Sequence, residues 1–309
     1  MKILVVGAGA IGGYYGARLI QAGADVTFLV RPKRAGQLAA SGLQIRSELG
    51  NFSGPVATVL REELKPVYDL IVLSCKAYDL DAAMDDFQGA VGPDTTLLPF
   101  LNGLSVYDQL DARFGAKHVL GGVAYIAVAL DPEGWIRHIG RNDSVIVGAR
   151  QEANVSVAER FHSLISQSAG TRVLSANVTG SLWNKWVMLA SGALMNCLMR
   201  GTIAEILATQ DGVRLMQQAI TECHSVAAAE GSPLNYEELE QLESRLLDPT
   251  SAWAASMMRD IAQRAPRVEA DAVVGDMIMR AERHGLDTPL VRAAFCHLQV
   301  YQRQQTKFS

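Results

Sequence analysis

The first twelve residues constrain the fold most strongly, because a predicted strand runs directly into a glycine-rich turn. Ile3–Val6 is continuously apolar, which is typical of a strand buried on both faces of a parallel sheet. Gly7 permits a tight turn, Gly9 leaves bare backbone for a pyrophosphate, and Gly12 allows the next helix to pack closely on the strand. The helix start adds unpaired N–H groups that bind phosphate. The motif therefore predicts a dinucleotide site formed by Gly7, Ala8, Gly9, Ala10, Ile11 and Gly12.

The end of the second predicted strand, Asp25–Val30, indicates which dinucleotide binds. An acid at this point would hydrogen-bond the ribose 2′-hydroxyl of NAD and repel a 2′-phosphate. The chain instead continues with Arg31, Lys33 and Arg34. Because a guanidinium binds phosphate oxygens with two charge-assisted hydrogen bonds, we expect NADP(H), with Arg31 on the 2′-phosphate and Lys33 or Arg34 assisting. The alternative is a solvated basic loop.

Composition excludes several classes of protein. The 309 residues are 49% apolar and 19% charged, which is ordinary for a globular chain long enough for two domains. The net charge of −4 gives no reason to expect a nucleic-acid or membrane partner. We expect no signal peptide and no membrane span, because no apolar run has the required length and flanking residues. We also expect no metal site, since the histidines are dispersed. Four scattered cysteines indicate free thiols in a reducing cytoplasm: Cys75, Cys197, Cys223 and Cys296.

The pattern of the chain changes near residue 176, where we place a boundary between domains 1–176 and 177–309. The first part alternates strands and helices, which predicts an α/β fold with a doubly wound sheet and a more antiparallel appendage at its edge. Within the appendage, Arg141-Asn-Asp143 is expected to form a turn between two strands. The second part is predicted to contain helices only: Val178–Met199, Ile203–Glu230, Tyr236–Leu247, Thr250–Arg264, Val268–His284 and Pro289–Lys307.

Two polar positions follow predicted strands of the sheet, at the edge where parallel sheets bind ligands. Lys76 comes after the strand Asp69–Ser74 and could reach a cofactor phosphate, a ribose or a substrate carboxylate. Asn102 comes after the strand Thr95–Phe100 and precedes Gly103. Since an Asn-Gly pair commonly forms a turn, Asn102 is either a turn residue or part of a site. Its place at this edge favours the site.

Three positions in the helical half have both a structural and a functional interpretation. Lys185 is flanked by Trp183 and Trp186. Its side chain either extends along apolar surface to solvent or lies in a cleft, where burial lowers the ammonium pKa and lets it donate a proton. Glu269, at a predicted helix start, either stabilises the helix dipole or belongs to a site. Ser256, inside a predicted helix, is by default solvent-facing or bonded to its own turn.

Together these residues resemble the ketopantoate reductase (2-dehydropantoate 2-reductase) family, in order and approximate spacing along nearly the whole chain. The resemblance implies an N-terminal Rossmann domain followed by an all-helical domain of the 6-phosphogluconate dehydrogenase C-terminal type. It also implies reduction of a 2-oxo acid to a 2-hydroxy acid by NADPH. The matching segments are Gly7–Gly12, Arg31, Lys76-Ala-Tyr78, Asn102-Gly103, Trp183-Asn-Lys185, Ser256–Asp260 and Glu269–Asp271.

The resemblance also implies roles for the polar residues. Lys185 would neutralise the negative charge that develops on the 2-oxo oxygen as hydride reaches the carbon. Glu269 would hold the substrate hydroxyl or orient the ammonium, and would keep the lysine protonated. Asn102 would align Lys185 and the substrate, and would also bind the cofactor. Ser256 would bind the substrate carboxylate, and Lys76 would add positive potential near the cofactor.

One departure from the family concerns the far end of the substrate. The family carries an asparagine four residues after the lysine, whereas this chain has Leu189. Asn196 cannot replace it, because it lies roughly 16 Å from Lys185 along the helix axis. Ketopantoate, the precursor of pantoate in pantothenate biosynthesis, is the expected substrate, and the alternative is a less polar 2-oxo acid.

A third hypothesis is a non-catalytic NADP(H)-binding protein. The joint presence of Lys185, Asn102 and Glu269 counts against it, because nucleotide binding requires none of them. The expected partner is therefore a small 2-oxo acid. The C-terminal helices leave open whether the chain also forms a homodimer.

Overall fold

The computed structural model describes residues 1–306. The last predicted helix ends at Lys307, and this residue and the end of the predicted second domain lie outside the described residues. The chain forms two compact units. The first comprises Met1–Leu101 and Val106–Ser181, and the second comprises Asn102–Ser105 and the chain from Leu182. The short segment Asn102–Ser105 therefore belongs to the second unit, although the residues on both sides of it belong to the first.

The first unit contains the predicted doubly wound parallel sheet. Ten strands occur among its described residues: β1 (Lys2–Val6), β2 (Asp25–Leu29), β3 (Leu43–Arg46), β4 (Phe52–Gly54), β5 (Ala57–Val59), β6 (Leu70–Leu73), β7 (Thr96–Pro99), β8 (Gly121–Leu130), β9 (Ile136–Gly148) and β10 (Thr171–Leu174). Five of them pair in parallel in the order β5-β2-β1-β6-β7. Their carboxyl ends lie on one edge, where sheets of this type bind ligands.

Helices connect these strands: α1 (Ala10–Gln21), α2 (Pro32–Ser41), α3 (Leu80–Phe87), α4 (Ser105–Phe114) and α5 (Val155–Ile165). Helix α1 lies close to the sheet because glycines face it. A Cβ added at Gly12 would collide with the carbonyl oxygen of Gly7, and one added at Gly16 would collide with the ring of Phe28. The small residues of α1 thus set the short distance between helix and sheet.

A second sheet corrects the expectation of an appendage at the edge of the first. Strands β10, β9, β3 and β4 are adjacent in this order, and β8 pairs with β9 in antiparallel orientation. The turn predicted at 141–143 does not separate two strands, because β9 runs through these residues. The pairing with β8 does shift register here, since Val128 pairs with His138 and Ile126 pairs with Asp143, and Gly140 in the resulting bulge has a φ of +74°. Asp143 is buried and accepts hydrogen bonds from the hydroxyls of Tyr14 and Tyr15, each at 3.0 Å. It also pairs with the guanidinium of Arg172 at 2.6 Å, so the end of this irregular segment is fixed inside the first unit.

The second unit is helical, as predicted. Its described elements are α6 (Val178–Met199, of which the first turn belongs to the first unit), α7 (Ile203–Leu207), α8 (Gly212–Ala229), α9 (Tyr236–Leu246), α10 (Ser256–Ala262), a π-helical segment (Asp271–Gly275), α11 (Asp276–Arg283) and α12 (Pro289–Thr306). No helix within residues 1–306 has the length and apolar character needed to cross a membrane. Within the same residues, no group of three or more His, Cys, Asp or Glu side chains is arranged to hold a metal ion.

The segment Ile203–Glu230, expected as one helix, forms α7 and α8 with a break at residues 208–211. The hydroxyl of Thr209 donates to the carbonyl oxygen of Ile206 at 2.8 Å. This local hydrogen bond replaces the next helical one and ends α7.

The helix expected over Thr250–Arg264 is reduced to α10. The carbonyl oxygens of Ser251 and Trp253 accept hydrogen bonds from the backbone N–H groups of Ala204 and Ile203, at 2.9 and 3.1 Å. These N–H groups begin α7 and have no partner within that helix. The residues before α10 therefore satisfy the start of another helix instead of forming their own.

The buried charge of Asp143 generates a prediction about stability. Removing its side chain leaves the buried guanidinium of Arg172 without its carboxylate partner and two tyrosine hydroxyls without their acceptor. We expect Asp143→Ala to lower the free energy of unfolding by about 3–5 kcal/mol, measured by urea denaturation. Asp85→Ala, which breaks an exposed ion pair with Arg113, should lower it by less than about 1 kcal/mol. Equal losses in the two variants would contradict the organising role of Asp143.

Candidate active site

The glycine turn lies at the carboxyl end of β1 and lines a cavity of about 680 Å³ within the first unit. Gly7 has a φ of +87°, which residues with a side chain rarely adopt. A Cβ added at Gly9 would meet no atom within 4 Å, so this backbone is open to the close approach of a ligand. The turn therefore fits a pyrophosphate. Of the six predicted residues, Gly7, Ala8 and Gly9 line the cavity, while Ala10, Ile11 and Gly12 begin α1.

Basic side chains line the same cavity beside β2. Arg31 is exposed and, within residues 1–306, its guanidinium forms no ion pair or hydrogen bond. Arg34 also lines the cavity, but its guanidinium donates to the carbonyl oxygens of Ala8 at 3.2 Å and Gly134 at 3.3 Å. Lys33 is not among the lining residues. Arg31 is thus available to an anionic group, whereas Arg34 braces the glycine turn.

Lys76 lies at the carboxyl end of β6, directly before a short 3₁₀ helix at Ala77–Asp79. Its neighbours Ser74 and Cys75 line the cavity, but Lys76 is not among the lining residues. Its role beside a cofactor stays a prediction.

In the second unit, Asn102 and Glu269 come together although they are far apart in sequence. The Nδ2 atom of Asn102 donates to Oε2 of Glu269 at 3.4 Å. Glu269 is only 6% exposed and directly precedes the helical residues that begin at Ala270. Its carboxylate also acts electrostatically on Lys185 of α6. Three predicted residues from three separate segments thus form one polar cluster, consisting of Asn102, Lys185 and Glu269.

Two opposing effects set the protonation of Lys185. Burial lowers the pKa of the Lys185 ammonium to about 8, whereas the carboxylate of Glu269 raises it by favouring the charged form. The ammonium is therefore largely protonated at neutral pH, yet it releases its proton more readily than a solvated lysine. These are the properties of a general acid that acts on an oxygen gaining negative charge.

Trp186 fixes the position of α6, a role that was not predicted from the sequence. Its ring is buried, and Nε1 donates to the carbonyl oxygen of Val273 at 3.0 Å. Val273 lies in the π-helical segment that follows Glu269. A buried tryptophan needs an acceptor for its N–H, and this requirement is the signal by which the sequence could have indicated an anchor.

Ser256 was expected inside a helix, but it is the first residue of α10. The buried side chain of Asn196 holds this start, since Oδ1 accepts from the N–H of Ala255 at 3.0 Å and Nδ2 donates to the carbonyl oxygen of Gly201 at 2.7 Å. Within residues 1–306, the hydroxyl of Ser256 forms no hydrogen bond with the polar cluster. Its binding of a substrate carboxylate stays a prediction.

The face of α6 that carries Lys185 continues with apolar residues. Leu189 follows after one turn and Gly192 after two. A Cβ added at Gly192 would lie 2.6 Å from the ring of Trp253, so this indole rests directly on the helix. Trp253 is 36% exposed, which leaves part of its ring accessible. Beyond the lysine, this surface offers apolar contacts to a ligand.

Comparisons with known proteins identify the family. Residues 3–152 match the family model for ketopantoate reductase PanE/ApbA, and residues 177–302 match the model for its C-terminal domain. The chain belongs to the ketopantoate reductase family. It is an oxidoreductase, and both the predicted family and the predicted fold class are confirmed.

Several relatives match over nearly the full length. The chain is 34% identical over 308 residues to the uncharacterized oxidoreductase YkpB of Bacillus subtilis, covering 99% of this chain and 100% of the relative. It is 27% identical over 306 residues to a 2-dehydropantoate 2-reductase of Streptococcus pyogenes, covering 94% and 95%. The solved ternary structure of D-mandelate dehydrogenase with NADH and anilino(oxo)acetate has a TM-score of 0.88 at 22% identity and 99% coverage of both chains. This last likeness shows the fold.

The opposing effects on Lys185 generate a prediction about its titration. We expect Glu269→Gln to move the pKa of Lys185 below its present value of about 8, because the variant removes the charge that favours the ammonium. The shift should be about 1 pH unit, measured by the pH dependence of Lys185 acylation followed by mass spectrometry. Glu237→Gln, at an exposed position of α9, should leave the titration unchanged. An unaltered midpoint in Glu269→Gln would show that the carboxylate does not act on the lysine.

Proposed function

We propose that this chain is an NADPH-dependent reductase of 2-oxo acids, with ketopantoate as the leading substrate and pantoate, a precursor of pantothenate and coenzyme A, as the product. The observation that carries the proposal is the polar cluster, in which a lysine with a pKa of about 8 is influenced by a buried carboxylate that also accepts from Asn102. Membership of the ketopantoate reductase family supports the same reaction. The four cysteines are free thiols, which supports action in a reducing cytoplasm.

The residues of the polar cluster have distinct tasks in this reaction. The reduced nicotinamide, when bound, supplies hydride to the 2-oxo carbon. The Nζ atom of Lys185 donates a proton to the 2-oxo oxygen as negative charge develops there. Glu269 keeps the ammonium protonated before this transfer and holds the substrate hydroxyl or the ammonium in place. Asn102, oriented by its hydrogen bond to Glu269, aligns the lysine and the substrate.

The first unit would hold the cofactor. The open backbone at Gly9 and the positive φ of Gly7 support binding of a pyrophosphate at the glycine turn. Arg31, available at the cavity wall, supports NADP(H) over NAD(H), because its guanidinium would bind the 2′-phosphate. Lys76 would add positive potential close by.

The preference for NADPH is tested at Arg31. We expect Arg31→Ala to raise the KM for NADPH by about 10- to 100-fold, because the variant loses a charged hydrogen bond. The KM for NADH should stay within about twofold, since NADH carries no 2′-phosphate. Steady-state kinetics with both cofactors measure the difference. Lys33→Ala is the matched control, because this neighbouring cation does not line the cavity, and a similar loss in both variants would refute the assignment.

A less polar 2-oxo acid is the second candidate substrate. Leu189 cannot hydrogen-bond a substrate hydroxyl, and the indole of Trp253 on Gly192 extends the apolar surface. The relative from Bacillus subtilis carries no substrate in its name, and the similar D-mandelate dehydrogenase was solved with anilino(oxo)acetate, an aromatic ligand. The substrate side chain would contact this surface while its 2-oxo group lies at Lys185.

A matched pair of substrates tests the proposed function. NADPH oxidation is followed with ketopantoate and with 3,3-dimethyl-2-oxobutanoate, which is ketopantoate without its hydroxyl. A site that hydrogen-bonds the hydroxyl should prefer ketopantoate in kcat/KM by about 10⁴-fold, whereas an apolar site should treat the two acids within about 10²-fold. Lys185→Ala should lower kcat on the better acid by at least about 100-fold.

The controls separate the hypotheses. Lys65→Ala, which removes an exposed lysine, should leave kcat unchanged. Leu189→Asn should improve kcat/KM for ketopantoate relative to the deoxy acid. The proposal would be overturned, in favour of a non-catalytic dinucleotide-binding protein, if the wild-type chain binds NADPH but none of the 2-oxo acids tested causes its oxidation.

A further inference from the structure

We infer that Asp276 is a positioning residue, whose carboxylate holds the loop of Asn102 so that this side chain meets Glu269. Asp276 lies in α11, seven residues after Glu269. The inference rests on the proposed function for its kinetic consequence, because Asn102 aligns the substrate only in that reaction. Its structural part stands on contacts within the second unit.

The first contact is a hydrogen bond to the end of the loop. The backbone N–H of Ser105 donates to Oδ2 of Asp276 at 2.9 Å. Asp276 is 1% exposed, so water does not compete for this bond. Its other oxygen, Oδ1, accepts from Nε of Arg280 at 3.1 Å. Arg280 therefore fixes one oxygen of the carboxylate, while the other oxygen binds the loop through the N–H of Ser105.

The second contact lies between Asn102 and Ser105. Gly103 has a φ of +85°, and a Cβ added there would collide with the carbonyl oxygen of Ala272 in the π-helical segment. The loop backbone thus lies directly on the segment that connects Glu269 to Asp276. With Gly103 seated and the Ser105 amide bound, the side chain of Asn102 has little freedom to leave Glu269.

The third contact connects the same carboxylate to the helix of Lys185. The buried guanidinium of Arg280 lies 5.7 Å from the ring of Trp183 and 5.6 Å from the ring of Trp186, which flank the lysine on α6. It also pairs with Glu230 at 2.6 Å. Asp276 therefore lies between the Asn102 loop and a cation anchored against α6.

Energetics favour positioning over stability as the reason for this arrangement. A buried ion pair adds little net stability, because the cost of removing both charges from water offsets their attraction. What a satisfied buried pair does provide is a single defined geometry. Asp276 provides such geometry to a loop whose Asn102 side chain reaches Glu269 through a hydrogen bond of 3.4 Å, near the upper limit of useful length.

A double-mutant cycle tests the inference with the better substrate of the wild-type chain. We expect Asp276→Asn to lower kcat by about 100-fold, since a displacement of about 1 Å in a positioned group has such an effect. The KM for NADPH should stay within about twofold, because the residues proposed to bind the pyrophosphate and the 2′-phosphate belong to the first unit, whereas Asp276 belongs to the second. In an Asn102→Ala background, the same substitution should lower kcat by less than about threefold, because the group it positions is gone. Equal losses in both backgrounds would overturn the inference.

Glu222→Gln is the matched control. Glu222 is also a buried acid of the second unit, and its carboxylate accepts from the backbone N–H groups of Leu290 and Val291 at the start of α12. This variant should lower the melting temperature without changing kcat. Ser105→Pro provides a second variant, because proline removes the N–H donor at a first helical position, where it is tolerated. It should reproduce the loss of kcat seen in Asp276→Asn, and unchanged kcat in a folded Ser105→Pro chain would also refute the inference.

Hydrogen exchange separates this inference from the proposed function. Asp276→Asn should accelerate amide exchange in peptides covering residues 103–105 by at least about 10-fold, whereas Glu222→Gln should not. Unchanged exchange would overturn the positioning role whether or not the chain reduces a 2-oxo acid. Faster exchange in a chain that shows no NADPH oxidation would refute only the proposed function.

Discussion

The proton affinity of Lys185 is the property on which the candidate site depends, and it results from burial opposed by one carboxylate. Burial alone would favour a neutral amine, whereas a carboxylate in water would leave the ammonium too stable to release its proton readily. With both effects, the pKa is about 8. The second unit must therefore keep α6 packed and keep Glu269 close, and much of its polar architecture serves these two requirements.

That architecture relies on side chains that bind backbone groups. Trp186 donates to the carbonyl oxygen of Val273, Asp276 accepts from the N–H of Ser105, and Asn196 accepts from the N–H of Ala255. Each of these contacts joins segments that are distant in sequence. Since a buried polar group is costly unless its partner is correctly placed, each contact selects one arrangement of the segments it joins. The polar cluster itself is assembled from three segments that are distant in sequence, one each for Asn102, Lys185 and Glu269.

Local patterns predicted the larger elements well and failed where distant partners decide the outcome. The apolar strand before Gly7, the alternation of strands and helices, and the helical second half are all confirmed. The triplet at 141–143 has the composition of a turn, yet it lies in β9 because Asp143 has charged and hydroxyl partners elsewhere in the first unit. Likewise, Ser256 begins α10 because the residues before it bond to α7 and to Asn196.

The sequence by itself determined the glycine turn, the basic residues after β2 and the presence of a lysine, an asparagine and an acid typical of ketopantoate reductases. These features are readable because each depends on residues close together in the chain. Only the tertiary structure decided that Asn102 meets Glu269, that Arg34 braces the glycine turn while Arg31 stays available, and that Trp253 rests on Gly192. The physical reason is that the protonation and the reach of a side chain depend on burial and on partners brought together by folding, and these are not encoded by its neighbours in sequence.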